Sequence, residues 1–279
     1  MDKTDLITEE YVKSVLKRRG RETHKGECGK ILVIAGSKGM AGAAVLCGKA
    51  ALRAGAGLVR VSAEEALYPI IQTALPEATC VPRRVSLLKI AEYDAIAIGP
   101  GLGEYPENEA IIEYILDEYE KTVVLDADGL NTLAGAGKAG SLKNARAKAI
   151  ITPHMGEAKR LVPDCKETDR MKIAEALRDA TGAIVVLKGA GTIVMGHAHG
   201  TLVNTTGNPG MATGGSGDVL TGIIAAFAGQ TKNPWDSTAA GVYIHGLAGD
   251  IAAGTFGEYG LIAGDIAEAA AFAIKKVTS

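Results

Sequence analysis

The run Lys30-Ile31-Leu32-Val33-Ile34-Ala35-Gly36 is apolar at consecutive positions instead of alternate ones. A strand of that kind is covered on both faces, as strands inside a parallel sheet are. Residues 58–62, Ala95-Ile96-Ala97-Ile98, Thr122-Val123-Val124-Leu125-Asp126, Ala149-Ile150-Ile151-Thr152 and Ile184-Val185-Val186-Leu187-Lys188 read as further strands. Helical stretches at about 8–19, 42–54, 107–119, 168–181, 216–228, 235–253 and 262–275 alternate with or follow them. In the first helix Thr8 is expected to cap the start, Ile7 to staple onto Val12, and Gly20 to close the end. Such alternation requires right-handed crossovers, so the expected class is α/β, a mainly parallel central sheet with helices on both faces. Short strands near 192–195 and 201–204 read as a hairpin, and residues 63–92 carry no clear signal.

No repeat, low-complexity tract or Pro/Ser linker interrupts the 279 residues, so a single domain over residues 1–279 is expected. Hydrophobic residues at 47% and charged residues at 22% argue against disorder. The 36 glycines and only 4% aromatics suit helices packed closely on a sheet. The glycines have no fixed period, which rules out a collagen-like chain. A net charge of −2 gives no bulk attraction to nucleic acid or an anionic membrane, and neither is expected as a partner. No apolar run reaches the roughly 18 residues of a membrane helix. The charged start Met1-Asp2-Lys3-Thr4-Asp5 carries no visible secretory signal. Cys28, Cys47, Cys80 and Cys165 form no CxxC pair and read as reduced thiols of a cytoplasmic protein.

In open sheets of this type, ligands sit outside the carboxyl ends of the strands. Small or polar residues stand at those ends here: Gly36, Gly99 to Gly103, Asp126, Thr152 to Glu157, and Lys188 onward. The densest signal is Asn208-Pro209-Gly210-Met211-Ala212-Thr213-Gly214-Gly215-Ser216-Gly217-Asp218, a glycine-rich bend entering an apolar helix. Free backbone N–H groups and the positive end of the helix dipole suit that junction to phosphate. Side chains are absent at Gly214, Gly215 and Gly217, and a valine at Gly215 is expected to crowd the phosphate path.

Asp218 reads either as a helix cap or as a base that takes a proton from an attacking hydroxyl. Lys188-Gly189-Ala190-Gly191-Thr192 reads as an ordinary turn or as a nucleotide contact. His154 either satisfies its turn or meets substrate, and Glu157 either favours the helix dipole or holds Mg²⁺ through water. Asp126-Ala127-Asp128 is a turn, a cap or a ligand-binding strand end. Gly42 to Gly48-Lys49-Ala50 has the wrong spacing for a phosphate loop, and His197-Ala198-His199 reads as solvated. There is no G-x-S-x-G and no H-E-x-x-H.

Six segments in order resemble the ADP/ATP-dependent NAD(P)H-hydrate dehydratase family of the ribokinase-like superfamily. They are Ala35-Gly36-Ser37 with Met40-Ala41-Gly42-Ala43-Ala44, Gly99-Pro100-Gly101-Leu102-Gly103, Leu125-Asp126-Ala127-Asp128, Thr152-Pro153-His154-Met155-Gly156-Glu157, Leu187-Lys188-Gly189, and Gly214-Gly215-Ser216-Gly217-Asp218. The resemblance implies a metabolite-repair lyase acting on the S-form of hydrated NADH and NADPH. ADP or ATP would phosphorylate the ring hydroxyl, with ADP giving AMP, and loss of phosphate would restore the nicotinamide. By position it implies substrate contacts at Ala43, Gly101, His154 and Asp218. It implies nucleotide contacts at Lys188, Gly189, Ala190, Gly191, Thr192, Gly214, Gly215 and Gly217, with Asp218 as base and Glu157 associated with Mg²⁺. Met155 stands where many members have proline, and Ser216 where threonine is common. It implies a homo-oligomer, a tetramer, and the length suggests the dehydratase without its epimerase partner domain. Two other readings use the same residues: a kinase for a vitamin-precursor alcohol such as hydroxyethylthiazole, and a nucleotide-binding protein without turnover.

Overall fold

The structure, a computed structural model, describes residues 4–279, so Met1 to Lys3 of the charged start lie outside the described residues. Ten strands build one sheet: β1 (Thr4–Ile7), β2 (Lys30–Ile34), β3 (Leu58–Ala63), β4 (Thr79–Pro82), β5 (Ala95–Ile98), β6 (Thr122–Leu125), β7 (Lys148–Ile151), β8 (Ile184–Leu187), β9 (Ile193–Gly196) and β10 (Gly200–Asn204). The helices are α1 (Glu9–Val15), α2 (Ala41–Arg53), α3 (Tyr68–Ala74), α4 (Glu107–Glu118), α5 (Ala127–Gly135), α6 (Met155–Leu161), α7 (Arg170–Thr181), α8 (Ser216–Thr231), α9 (Pro234–Gly260) and α10 (Ala263–Thr278).

The strand order is β1-β10-β9-β8-β7-β6-β5-β2-β3-β4. The seven strands from β8 to β4 in that order run parallel, as expected. β9 turns back antiparallel to β8 and forms the expected hairpin with β10. Order reverses between β2 and β5, since β3 and β4 lie to one side of β2 and β5 to β8 to the other. That reversal opens a crevice at the carboxyl edge.

Alternation of side chains sorts the buried strands between two cores. Ile31, Val33, Ala95, Ala97, Val124 and Val186 face the layer of α1, α2, α3, α8, α9 and α10. Leu32, Ile34, Ile96, Ile98, Val123, Leu125, Val185 and Leu187 face the layer of α4 to α7. Burying each Ile or Leu contributes about 1.5–3 kcal/mol, so the doubly covered strands tie both layers to one sheet. Small residues dominate where α2 and α8 cross: a β-carbon on Gly222 would collide with the Cys47 carbonyl.

Several local readings are corrected. Thr8 does cap α1 by accepting the Tyr11 N–H at 3.2 Å, but the chain leaves the helix at Leu16 in extended conformation, so Gly20 closes nothing. β1 was not anticipated; three of its four residues are exposed, and its partner β10 lies almost 200 residues on in sequence, at Thr4↔Thr201 to Ile7↔Asn204. The unread region holds α3 and the edge strand β4, where Pro82 needs no second partner strand. α9 runs on to Gly260, broken at Gly257 with φ +69°. The Gly42–Gly48 stretch lies inside α2. His197 and His199 are not merely solvated: one ring bonds the Arg178 carbonyl at 3.1 Å, and the other stacks on Trp235 at 4.8 Å.

Candidate active site

The carboxyl edge of the sheet carries a cluster of charge under the glycine-rich bend. Asp126, which follows β6 and precedes α5, is 1% exposed. Its Oδ1 accepts from Lys188 Nζ at 2.6 Å and its Oδ2 from the Thr221 hydroxyl at 2.8 Å. Burial alone would raise the Asp126 carboxyl, but the Lys188 charge and these hydrogen bonds hold it below the usual range. Burial would likewise strip Lys188 of its proton, and Asp126 and Glu157 hold that proton on. Ala127, next to Asp126, takes the left-handed φ of +47°, so backbone strain sits at this turn. Gly99 has no β-carbon because one would strike the Asp126 carbonyl.

Asp218 lies in the first turn of α8 and does not cap it. The cap position is Gly215, in left-handed conformation at φ +89°, and among the described residues no side chain caps the helix. Among the described residues the Asp218 carboxyl has no hydrogen bond or ion pair. Burial first, then the negative charge of Asp126, pushes its pKa up to about 7. A carboxyl that gains and loses its proton near neutrality is suited to general-base work. A β-carbon on Gly217 would lie 3.2 Å from Lys188 Nζ and 3.5 Å from Asp126 Oδ2, so the bend rests directly on the ion pair.

The glycines of the bend differ. Gly214 faces open space, with nothing within 4 Å of a built β-carbon. At Gly215 that atom would stand 2.5 Å from Leu46 of α2 and 3.2 Å from Ala263. Bulk at Gly215 therefore strikes the protein's own packing, whereas Gly214 has room for a side chain; neither glycine is among the residues lining the cavity beside the bend.

A cavity of about 760 Å³ opens beside the bend. Its walls include His154, Lys188 to Thr192, Ser216 and Gly217, together with the β10–α8 segment from Asn204 to Pro209. Val242, His245 and Gly246 of α9 close it. Arg170 holds the Lys188–Thr192 loop from below, donating to the carbonyls of Ala190 and, at 3.2 Å, Leu187. Asp250 holds the opposite wall, accepting from Gly207 N at 2.9 Å and Asn208 Nδ2 at 3.0 Å. A second, smaller cavity of about 370 Å³ between α2 and Ala74 to Glu77 lies away from these groups.

His154 and Glu157 form a reciprocal cap on α6. His154 Nδ1 accepts the Gly156 N–H at 2.9 Å, and Glu157 Oε2 accepts the His154 N–H at 2.7 Å. The ring still lines the cavity, while the Glu157 carboxylate is buried 3.7 Å from Lys188. Ala43 and Gly101 come together elsewhere, at the crevice between the β2 and β5 ends. A β-carbon on Gly101 would be 2.8 Å from that of Ala43. Ala43 and Leu46 are one turn apart on α2, so this helix links the crevice to the glycine-rich bend.

Several contacts around the site were not foreseen from the sequence. Arg83, 7% exposed in its side chain, donates to the Gly36 carbonyl at 3.0 Å and pairs with Glu64 at 3.1 Å. Asp128 accepts the Gly103 N–H at 2.8 Å. Among the described residues the buried Ser37 hydroxyl has no hydrogen-bond partner, and it faces Gly103. Arg170, His245 and Asp250 were equally unmarked. All of these act through folded contacts remote in sequence, and no local spacing announces them.

The model of the NAD(P)H-hydrate dehydratase family matches residues 31–271. The bifunctional NAD(P)H-hydrate repair enzyme Nnr of Escherichia coli K12 is 40% identical over 271 residues, covering 95% of this chain and 51% of that protein. Its counterpart in Moorella thermoacetica is 39% identical, with 94% and 52% covered. This chain thus spans about half the length of the curated relatives it matches. The ADP/ATP-dependent NAD(P)H-hydrate dehydratase from Bacillus subtilis, co-crystallised with ATP and Mg²⁺, superimposes with a TM-score of 0.86 at 30% identity, covering 98% of each chain. A hydroxyethylthiazole kinase from Pyrococcus horikoshii, 18% identical with a TM-score of 0.63, shares the fold. The matched span carries the bend, the Asp126–Lys188 pair and Asp218, and the chain belongs to the NAD(P)H-hydrate dehydratase family.

Proposed function

We propose that this chain, acting as one domain, dehydrates the S-form of hydrated NADH and NADPH with ADP or ATP as co-substrate. The observation that carries this reading is the half-buried Asp218 carboxyl, unpaired among the described residues and pushed up to about 7, beside the Lys188 ammonium and the N–H groups of the bend. The cavity beside the bend takes the nucleotide, its phosphates meeting Lys188 to Thr192, Gly214, Gly215 and Gly217. The crevice at Ala43 and Gly101 takes the nicotinamide with Ser37 as a further polar contact, and His154 meets the substrate from the cavity wall.

Asp218 removes the proton from the ring hydroxyl as its oxygen attacks the terminal phosphorus. The bond from that phosphorus to the bridging oxygen breaks, and AMP leaves when ADP is the donor. The ring then loses phosphate and a neighbouring C–H proton, which restores the double bond. Lys188 and the bend N–H groups face the charge gathering on the transferred group.

The donor set fits Mg²⁺ held chiefly by phosphate oxygens and water. Glu157 offers one buried carboxylate whose Oε2 is already committed to the cap, and no group of three or more His, Cys, Asp or Glu among the described residues could hold a metal. We assign Glu157 to the ion through water; when bound, Mg²⁺ supplies charge neutralisation at the phosphates.

No helix among the described residues is long and apolar enough to cross a membrane. All four cysteines are free, which supports a reducing, cytoplasmic setting. Phe256, Tyr259, Ile262 and Phe272 are exposed near the α9–α10 junction and support assembly into a homo-oligomer, a tetramer in this reading. Incubation with hydrated NADH, Mg²⁺ and either nucleotide tests the activity: free phosphate and recovery of reduced-nicotinamide absorbance are expected. A stable phosphoester, or no phosphate release, overturns it.

A further inference from the structure

His245 lies on α9, far in sequence from the glycine-rich bend, yet its ring ends on that bend. Its Nε2 is 2.9 Å from the Ser216 carbonyl oxygen and 3.3 Å from the Ser216 hydroxyl. A carbonyl only accepts, so Nε2 carries the hydrogen. The ring is neutral, since burial pushes its pKa down to about 4. The ring therefore offers a fixed donor to one backbone oxygen.

The Ser216 carbonyl and the Gly217 N–H belong to one planar trans peptide and point to opposite sides of it. A hydrogen bond that fixes the oxygen also fixes the direction of the N–H. Drawing electron density toward that oxygen strengthens the N–H as a donor. Gly217 lines the cavity, and among the described residues no side chain caps the start of α8. We infer that His245 is a positioning residue for nucleotide phosphate: its Nε2–H locks the Ser216–Gly217 peptide so that the Gly217 N–H faces the phosphate.

This rests on the reading that the bend holds phosphate, and its test uses equilibrium binding, which needs no turnover. The amide nitrogen of glutamine reaches the place of Nε2, whereas that of asparagine reaches only the place of Nδ1. ADP and adenosine affinities are measured by calorimetry on the wild type, His245→Gln, His245→Asn and His245→Leu. The Ser216 oxygen keeps its helical partner, and loss of the second donor is expected to weaken ADP binding about tenfold in His245→Asn and His245→Leu. Adenosine affinity stays within about twofold, and His245→Gln keeps ADP affinity within about threefold. Equal losses for ADP and adenosine, or a glutamine variant no better than leucine, overturn the inference. A wild type that binds ADP but releases no phosphate from hydrated NADH overturns the proposed reaction and leaves this comparison intact.

Discussion

Lys188 Nζ lies 2.6 Å from Asp126 Oδ1, and the pair supports Gly217 from beneath. The charge cluster therefore contains one carboxylate neutralised by a lysine and a second, Asp218, that is not. Buried pairs of this kind are costly to break from one side, since the remaining charge has no partner.

Replacing Asp218 separates the chemical step from binding. Asp218→Asn is expected to lower kcat by about 10²–10⁴-fold and to leave the ADP dissociation constant within a few-fold. Near-normal kcat would remove the assigned base.

The same variant has a stability signature. The Asp218 pKa is about 7 folded against an ordinary 3.8, so the native state holds a proton that the unfolded chain has released between those values. The carboxyl therefore destabilises the fold increasingly from pH 4 to 7, and fully above 7. Asp218→Asn is expected to raise stability on the order of 2 kcal/mol at pH 8 and to match the wild type near pH 3.5. Denaturation at both pH values checks the sign.

The acid limb of kcat/KM reports the base. Activity is expected to rise through about pH 7 as Asp218 loses its proton. Asp126→Asn removes a negative neighbour and leaves Lys188 positive, so the limb moves to lower pH. Unfolding should also become easier by about 3–5 kcal/mol. A limb that stays in place would show that Asp126 does not act on Asp218.

The two glycines of the bend should part company. Gly214→Val keeps its melting temperature and weakens ADP binding, because its side chain enters open space at the bend. Gly215→Val strains a φ of +89° and strikes Leu46, so its main effect is a loss of several degrees in melting temperature. Calorimetry and thermal melts distinguish them.

Ser37 carries a buried hydroxyl without a partner. Ser37→Ala is expected to keep or raise the melting temperature, since an unsatisfied buried group costs about 1–3 kcal/mol. If the hydroxyl meets the nicotinamide side, the KM for hydrated NADH rises several-fold while that for ADP is unchanged.

The parallel core was legible because β2 and β5 to β8 are short, apolar and covered on both faces, a pattern local to each strand. The bend was legible because its glycines are contiguous. β1 and β4 were not, since edge strands need only one partner and keep polar or proline residues. α5 was hidden behind the turn at Asp126, which offered a cap or ligand reading as readily as a helix start. The supporting groups Arg83, Arg170, His245 and Asp250 depend on contacts between distant segments, and no periodicity encodes those.

The collision that any β-carbon on Gly222 would make with Cys47 fastens the helix bearing Asp218 to the helix bearing Ala43. Asp218 and the crevice at Ala43 are thereby held in a fixed register across two backbones in direct contact. The chain between Asn204 and Met211, which borders the cavity, is instead tethered to α9 through Asp250, Thr206 and Met211. The wall of the cavity and the alignment across the sheet edge are thus carried by different stretches of the polypeptide.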